Sequence, residues 1–159
     1  MIKIVIISDT HGSYQPLLDI QTKEYDADYY FHLGDFCIPD YLVSPFLAVK
    51  GNNDFSTEFQ KKKDLVIDGI KIHLEHGDNF EFQVNKANYI KKIDPDIFIF
   101  GHTHRFYVGT INDKTILINP GSLTQPRDDF YGSYAILLID DNKKISVEKR
   151  QYPFKEDKK

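Results

Sequence analysis

The chain has 159 residues, enough for one domain that buries a core without disulfide bonds. Its net charge of −4 argues against broad electrostatic binding to nucleic acid, and no apolar run approaches the ~20 residues needed to span a bilayer. The single cysteine, Cys37, permits no internal disulfide, so we expect a reducing, cytoplasmic compartment.

The first third of the chain alternates between strand-like and helix-like segments. Ile2–Ser8 is a short, unbroken, β-branched run, which is typical of a buried strand. The segments predicted to follow are a helix at Pro16–Lys23, strands at Asp28–Leu33 and Phe46–Lys50, and a short helix around Asp40–Ser44. This alternation predicts a parallel sheet.

The remainder favours hairpins. Asp68-Gly69 is a strong turn signal. The predicted elements are strands at Asp64–Asp68 and Ile70–Glu75, a helix around Phe82–Ile93, a strand at Ile97–Phe100, and hairpins formed by Arg105–Thr110 with Thr115–Asn119 and by Ser133–Ile139 with Lys144–Arg150. We expect one domain over residues 1–154 and a charged, flexible tail over residues 155–159.

Five short apolar runs each end in polar side chains that can bind metals. The five clusters are Asp9-Thr10-His11, Gly34-Asp35, Gly51-Asn52-Asn53-Asp54, Glu75-His76-Gly77-Asp78 and Gly101-His102-Thr103-His104. Because strand ends converge on one edge of an open α/β sheet, these clusters could meet at one point. Imidazole with carboxylate suits Mn, Fe, Zn or Ni, and the absence of thiolates argues against a structural zinc site.

The order of these motifs resembles that of the calcineurin-like metallophosphoesterase superfamily. Asn119-Pro120-Gly121-Ser122 and Gln125-Pro126-Arg127 further resemble its small single-domain phosphodiesterase branch of bacteria and archaea. The resemblance implies an α/β fold in which two mixed β-sheets pack as a sandwich flanked by helices. It also implies a metal-dependent phosphodiesterase that uses a dinuclear centre and a bridging hydroxide.

Carried over to this chain, the resemblance assigns ligands to two divalent transition-metal ions, most readily Mn²⁺, with Fe, Zn or Ni as alternatives. Asp9, His11 and His104 would hold the first ion, Asn52, His76 and His102 the second, and Asp35 would bridge both. Asp35, Asn52 and His76 would also serve in catalysis. Two divalent cations exceed the charge of Asp9 and Asp35, so the site would attract an anionic phosphoryl group.

One position departs from the family pattern. Many members carry a histidine after the asparagine, which is thought to protonate the leaving group, whereas this chain has Asn53. An amide cannot act as a general acid at neutral pH. We therefore expect slower turnover and a preference for good leaving groups.

Other functions stay open. The same centre could serve a phosphomonoesterase or a nuclease, and a non-catalytic scaffold could share the fold, as does a retromer subunit that resembles this branch. We expect a small phosphodiester as the partner, with no membrane and no extended nucleic acid.

Several other residues have less specific interpretations. We expect His32 to be structural, His73 to point outward from a strand, and Cys37 to be a small packed side chain. Asp54 and Asp78 are expected to support or cap the site rather than bind metal. Arg127 is open between a substrate phosphate and a surface ion pair.

Overall fold

The computed structural model describes residues 1–155, and these form ten strands and four helices. The strands are β1 Ile2–Ile7, β2 Tyr29–His32, β3 Leu47–Ala48, β4 Lys62–Ile67, β5 Ile70–Glu75, β6 Ile97–Ile99, β7 Phe106–Ile111, β8 Thr115–Pro120, β9 Gly132–Ile139 and β10 Ile145–Tyr152. The helices are α1 Gln15–Lys23, α2 Asp40–Val43, α3 Phe80–Val84 and α4 Lys86–Ile93. Except for Lys155, the predicted tail lies outside the described residues.

The strands form two five-stranded sheets of mixed direction. One has the order β10-β9-β1-β2-β3, with β1, β2 and β3 parallel, and the other has the order β4-β5-β6-β8-β7, with β5, β6 and β8 parallel. Their inner faces share one apolar core, so the sheets pack as a sandwich. The predicted fold class, two mixed sheets with helices, is confirmed.

The unbroken apolar run of β1 reflects burial on both faces. Ile4 and Ile6 lie in the core between the sheets, while Val5 and Ile7 pack on the other side with Leu17 of α1. A strand covered on both faces needs apolar residues at every position rather than at every second one. Helix α4 covers the outer face of the second sheet in the same way, where Ile90 packs with Phe98.

Two predicted elements differ in extent. The helix predicted over Phe82–Ile93 is two helices, because Asn85 leaves helical geometry (φ −150°, ψ 76°) and its side chain accepts a hydrogen bond from the Asn88 backbone N–H. Asparagine is among the best helix N-caps, and here it starts α4. The strand predicted over Phe46–Lys50 contributes only Leu47–Ala48.

The topology sets where a site can form. Parallel strands β1, β2 and β3 end at one edge of the first sheet, and β5, β6 and β8 end at one edge of the second. The five predicted clusters follow β1, β2, β3, β5 and β6. Within residues 1–155, no helix combines the length and apolarity needed to cross a membrane.

Candidate metal centre

The loops after β1 and β2 are joined through their backbones. The Asp9 N–H donates to the Gly34 carbonyl (3.0 Å), and the His11 N–H donates to the Asp35 carbonyl (2.9 Å). In the second sheet, the Gly101 N–H after β6 donates to the His76 carbonyl after β5 (2.9 Å). A Cβ on Gly101 would lie 2.1 Å from Ser8 Oγ, so only glycine lets the two sheets approach here.

Five of the predicted ligands have left-handed backbone geometry. Their φ angles are 55° for Asp9, 43° for His11, 57° for Asp35, 72° for His102 and 59° for His104. This conformation is uncommon for residues with a side chain, and such outliers cluster at functional sites where the surrounding structure enforces them. Here it aims the side chains of both sheets into one cluster.

The two oxygens of the Asp9 carboxylate have different surroundings. Oδ2 accepts hydrogen bonds from Ser8 Oγ (2.5 Å) and from the His102 backbone N–H (3.0 Å). Oδ1 is buried and has no hydrogen-bond partner among the described residues. It lies 3.3 Å from Nε2 of His104 and 3.8 Å from Nε2 of both His11 and His76. A buried, unpaired carboxylate oxygen facing three imidazole nitrogens fits a cation-binding position.

Asp35 lies on the other side of this group. Its Oδ2 is 3.3 Å from His76 Nε2 and 3.7 Å from His11 Nε2. Asn53 donates to it twice, from its backbone N–H to Oδ1 and from its side-chain amide to Oδ2, both at 2.9 Å. Asp35 therefore faces histidines from both sheets, while Asn53 fixes the orientation of its carboxylate.

Backbone carbonyls orient two of the imidazoles. His76 Nδ1 donates to the Leu33 carbonyl and His104 Nδ1 donates to the Gln125 carbonyl, both at 2.7 Å. Because a carbonyl only accepts, each Nδ1 carries the hydrogen, and Nε2 faces the carboxylates. This arrangement is the one usual for metal-binding histidines.

His102 and Asn52 complete the predicted set, with different outcomes. His102 Nδ1 lies 3.3 Å from His76 Nε2, so His102 joins the cluster. The Asn52 side chain is exposed, and it makes no hydrogen bond within residues 1–155. Two sets of three residues have ligand atoms that all lie within 4.8 Å of one another: Asp9 with His11 and His104, and Asp9 with Asp35 and His76. Asp9 thus belongs to both groups, whereas the resemblance assigns the shared role to Asp35.

The cluster concentrates negative charge. Burial by itself would raise the pKa of Asp9, but His104 and His11 outweigh it and hold that pKa well below its usual range. Burial would likewise raise the pKa of Asp35, but His76 and Asn53 outweigh it and lower that pKa to about 2. Burial would lower the pKa of His76, yet Asp35 and Asp9 raise it to about 9. Two ionised, buried carboxylates of this kind favour positive charge between them.

Supporting residues appear that the motif pattern does not identify as ligands. Asp54 accepts three backbone N–H groups, from Asp35 (2.7 Å), Gly51 (2.8 Å) and Cys37 (2.9 Å), and so joins the loops after β2 and β3. Its predicted supporting role is confirmed. Ser122 Oγ donates to the Asp9 carbonyl (2.8 Å). Ser8, which donates to Asp9 Oδ2, also supports the site, but the sequence does not identify it because a serine after an apolar run is common.

The remaining expectations fare differently. His32 is structural as predicted: it is fully buried, its Nδ1 accepts from the Gly34 N–H, and burial lowers its pKa to about 3. His73 points to the outer face of its strand as predicted, since its neighbours Ile72 and Leu74 face the core between the sheets, but it is buried there (2% exposed) and bonded to Asp64 and Glu75. Cys37 is exposed rather than packed, and partial burial of its thiol together with the charges of Asp54 and Asp35 raises its pKa to about 11, so it is a poor nucleophile.

Arg127 and Asp78 are both exposed. The Arg127 backbone N–H donates to the His104 carbonyl (2.9 Å), and its side chain forms no ion pair within residues 1–155. The surface ion pair considered for Arg127 is therefore absent from this part of the chain. Burial and His76 lower the pKa of His102, and the charge of Asp78 partly opposes that shift.

Comparison with known proteins yields a family match and several close structural likenesses. Residues 2–142 match the model of the calcineurin-like phosphoesterase superfamily domain. The probable metallophosphoesterase YsnB of Bacillus subtilis is 31% identical over 145 residues, which are 87% of this chain and 85% of YsnB. The structure of a predicted phosphoesterase from Streptococcus pneumoniae TIGR4 is 26% identical with a TM-score of 0.85, covering 96% of this chain and 90% of that one.

Two more distant structures share the fold alone. Vps29 of Entamoeba histolytica, complexed with Zn²⁺, is 21% identical with a TM-score of 0.71, covering 94% of this chain and 99% of that one. An archaeal phosphodiesterase is 23% identical with a TM-score of 0.71, covering 93% of this chain and 99% of that one.

Proposed function

This chain belongs to the calcineurin-like phosphoesterase superfamily, and on that premise we propose that it is a metal-dependent phosphodiesterase acting on a small phosphodiester. The observation that carries the proposal is the unpartnered Asp9 Oδ1, which is buried and faces three histidine nitrogens. Such an atom is costly in a folded protein unless a cation binds it.

The proposed ligands come from both sheets. We assign Asp9, His11 and His104 to one ion, His76, His102 and Asn52 to a second, and Asp35 to both. Asn52 would turn inward from its exposed position, which costs no side-chain hydrogen bond within residues 1–155. The donor set of imidazoles and carboxylates suits Mn²⁺, with Fe, Zn or Ni as alternatives.

The chain's own groups prepare the site for an anion. Bound divalent cations would supply positive charge for a phosphoryl group and lower the pKa of an attacking water. Asn53 holds Asp35, and the Leu33 and Gln125 carbonyls hold the imidazoles, so little reorganisation is needed when substrate arrives. Arg127 adds a positive charge beside His104 that is free of ion pairs in the described residues.

A second candidate is a scaffold, because Vps29 shares the fold. Retention of metal ligands does not separate the two candidates, since that Vps29 structure was itself obtained with Zn²⁺. An assay of phosphodiester hydrolysis distinguishes the enzyme from the scaffold. Phosphomonoesterase activity is a third candidate and differs only in substrate.

The test uses metal-stripped protein reconstituted with single metals and assayed on a phosphodiester and a monoester in parallel. We expect metal-dependent hydrolysis with faster cleavage of the diester. Asp9→Asn should reduce kcat/KM by on the order of 100-fold or more, since even partners behind the ligands are typically worth 10–100-fold. Asp113→Asn, in the β7–β8 turn, is the matched control and should leave the rate unchanged. Absence of hydrolysis with every metal would refute the proposal and favour the scaffold.

A further inference from the structure

A cavity of about 490 Å³ lies beside the metal cluster. Its walls are two loop segments, residues 36–39 after β2 and residues 53–57 after β3. Asn53 lines the cavity and also donates to the Asp35 carboxylate at 2.9 Å. Asn53 therefore connects the wall of the cavity to a proposed metal ligand.

Aromatic rings dominate two parts of this cavity. Phe36 follows Asp35 and is 1% exposed, held edge-on by Phe59 (ring centroids 5.6 Å apart) and by His32 (5.5 Å). Phe55 is 84% exposed, an unusual state for so large an apolar side chain. One ring thus lies fixed in the wall, and the other stands free at the rim.

The walls are fastened to each other. Asp54 Oδ1 accepts from the Cys37 N–H (2.9 Å), and Asp40 Oδ2 accepts from the Glu58 N–H (2.8 Å). Cys37 Sγ also lies 3.7 Å from the Asn53 carbonyl. A cavity whose walls are joined at both ends is already formed before a ligand binds, which reduces the entropic cost of binding.

We propose that this cavity binds a planar aromatic ester group of the substrate, stacked on Phe55, while the phosphate lies at the metal cluster. This rests on the proposed function, because it assumes that a phosphate occupies the cluster. An exposed phenylalanine offers a flat face that a nucleobase or an aryl ring can cover but an alkyl group covers poorly. Polar Asn53, Ser56 and Thr57 in the same wall can meet the edge of a heterocycle.

The test is calorimetric binding to the Mn²⁺-loaded protein of three monoesters that share one phosphate: methyl phosphate, phenyl phosphate and adenosine 5′-monophosphate. We expect one or both aromatic probes to bind more tightly than methyl phosphate. Phe55→Ala should remove that preference, by roughly 5- to 100-fold, the range typical of aromatic stacking on a base. Phe80→Ala is the control, since Phe80 is similarly exposed (76%) but starts α3 outside the cavity.

Cys37 gives a second readout of location, because it is the only cysteine of the chain and lies in the cavity wall. Adenosine monophosphate or phenyl phosphate should slow alkylation of Cys37 by a maleimide, whereas methyl phosphate should not. A preference for aromatic probes that survives Phe55→Ala, or equal alkylation with all probes, would overturn the inference. If the protein still hydrolyses the diester, either result leaves the proposed function intact. If Phe55 proves to bind the aromatic probes but no diester is hydrolysed, only the proposed function is refuted.

Discussion

At the scale of single residues, Asn53 occupies the position where the family resemblance leads one to expect a histidine. Its backbone and side-chain amides both donate to Asp35, so it positions a carboxylate. It cannot release a proton at neutral pH. Alkoxide leaving groups need a proton to depart, while a phenolate departs without help.

We therefore predict that the protein cleaves aryl phosphodiesters much faster than alkyl ones. General acid catalysis is typically worth ~10²–10⁴-fold, so Asn53→His should raise kcat/KM on an alkyl diester and change the aryl rate little. Asn53→Ala is the control, because it removes the amide donor to Asp35 without adding an acid. Equal wild-type rates on the two esters would show that another group supplies the proton.

At the scale of elements, the β4–β5 hairpin carries two histidines with different roles. Asp64 pairs with His73 in the register of the two strands, and His73 Nδ1 lies 2.7 Å from Asp64 while Nε2 lies 2.8 Å from Glu75. His73 also stacks on Phe98, at 5.0 Å between ring centroids. His76 follows the end of β5 and faces the cluster. His73 thus stabilises the hairpin, and His76 belongs to the proposed metal site.

Substitution of the two histidines should separate these roles. Burial would lower the pKa of His73, but the hydrogen bonds to Glu75 and Asp64 outweigh it and raise that pKa above its usual value. The protonated His73 therefore contributes fully to stability below the unfolded pKa of about 6.5, and this contribution is lost as the pH rises through the folded pKa. His73→Asn should lower the free energy of unfolding by about 1–3 kcal/mol at pH 6 and by less at pH 9, as measured by urea denaturation.

Metal occupancy provides the complementary measurement. His76→Asn should lower the metal content after dialysis, because it removes an imidazole that lies 3.3 Å from Asp35. His73→Asn should leave the metal content unchanged wherever the protein is folded. Equal metal loss in the two variants would count against the assignment of His76 as a ligand.

At the scale of the whole molecule, the cluster bridges the two sheets. Asp9, His11 and Asp35 follow strands of the first sheet, and His76, His102 and His104 follow strands of the second. Within the cluster, the shortest carboxylate–imidazole distances are those from Asp9 to His104 and from Asp35 to His76, and both join one sheet to the other at 3.3 Å. A cation bound here would connect the halves of the sandwich in the folded state only.

Metal binding should therefore stabilise the fold. At a free metal concentration of 100 times Kd, linkage gives about 2.7 kcal/mol, which for a domain of this size corresponds to a rise in Tm of roughly 5–10 °C. A chelator should reverse the shift, and Asp9→Asn should abolish it. An unchanged Tm in wild-type protein, measured by calorimetry with and without Mn²⁺, would contradict a metal site between the sheets.

The sequence by itself indicated where along the chain the strands lie and which polar clusters follow them. Apolar runs such as that of β1 are local signals of burial on both faces. The polar motifs follow these runs, and they converge because parallel strands end at the same edge of a sheet. Six of the seven ligands that the family resemblance assigns meet in the cluster, in keeping with the convergence of parallel strand ends.

Only the tertiary structure decided the features that depend on partners distant in sequence. His73 is buried because Asp64 on the neighbouring strand and Glu75 satisfy both its nitrogens, and no local pattern reports that pairing. The unpartnered Asp9 Oδ1 arises from the approach of one sheet to the other. The cavity beside Phe55 likewise exists because Asp54 ties two loops together. Periodicity shows which residues are buried, but contacts between distant segments depend on how the two sheets pack.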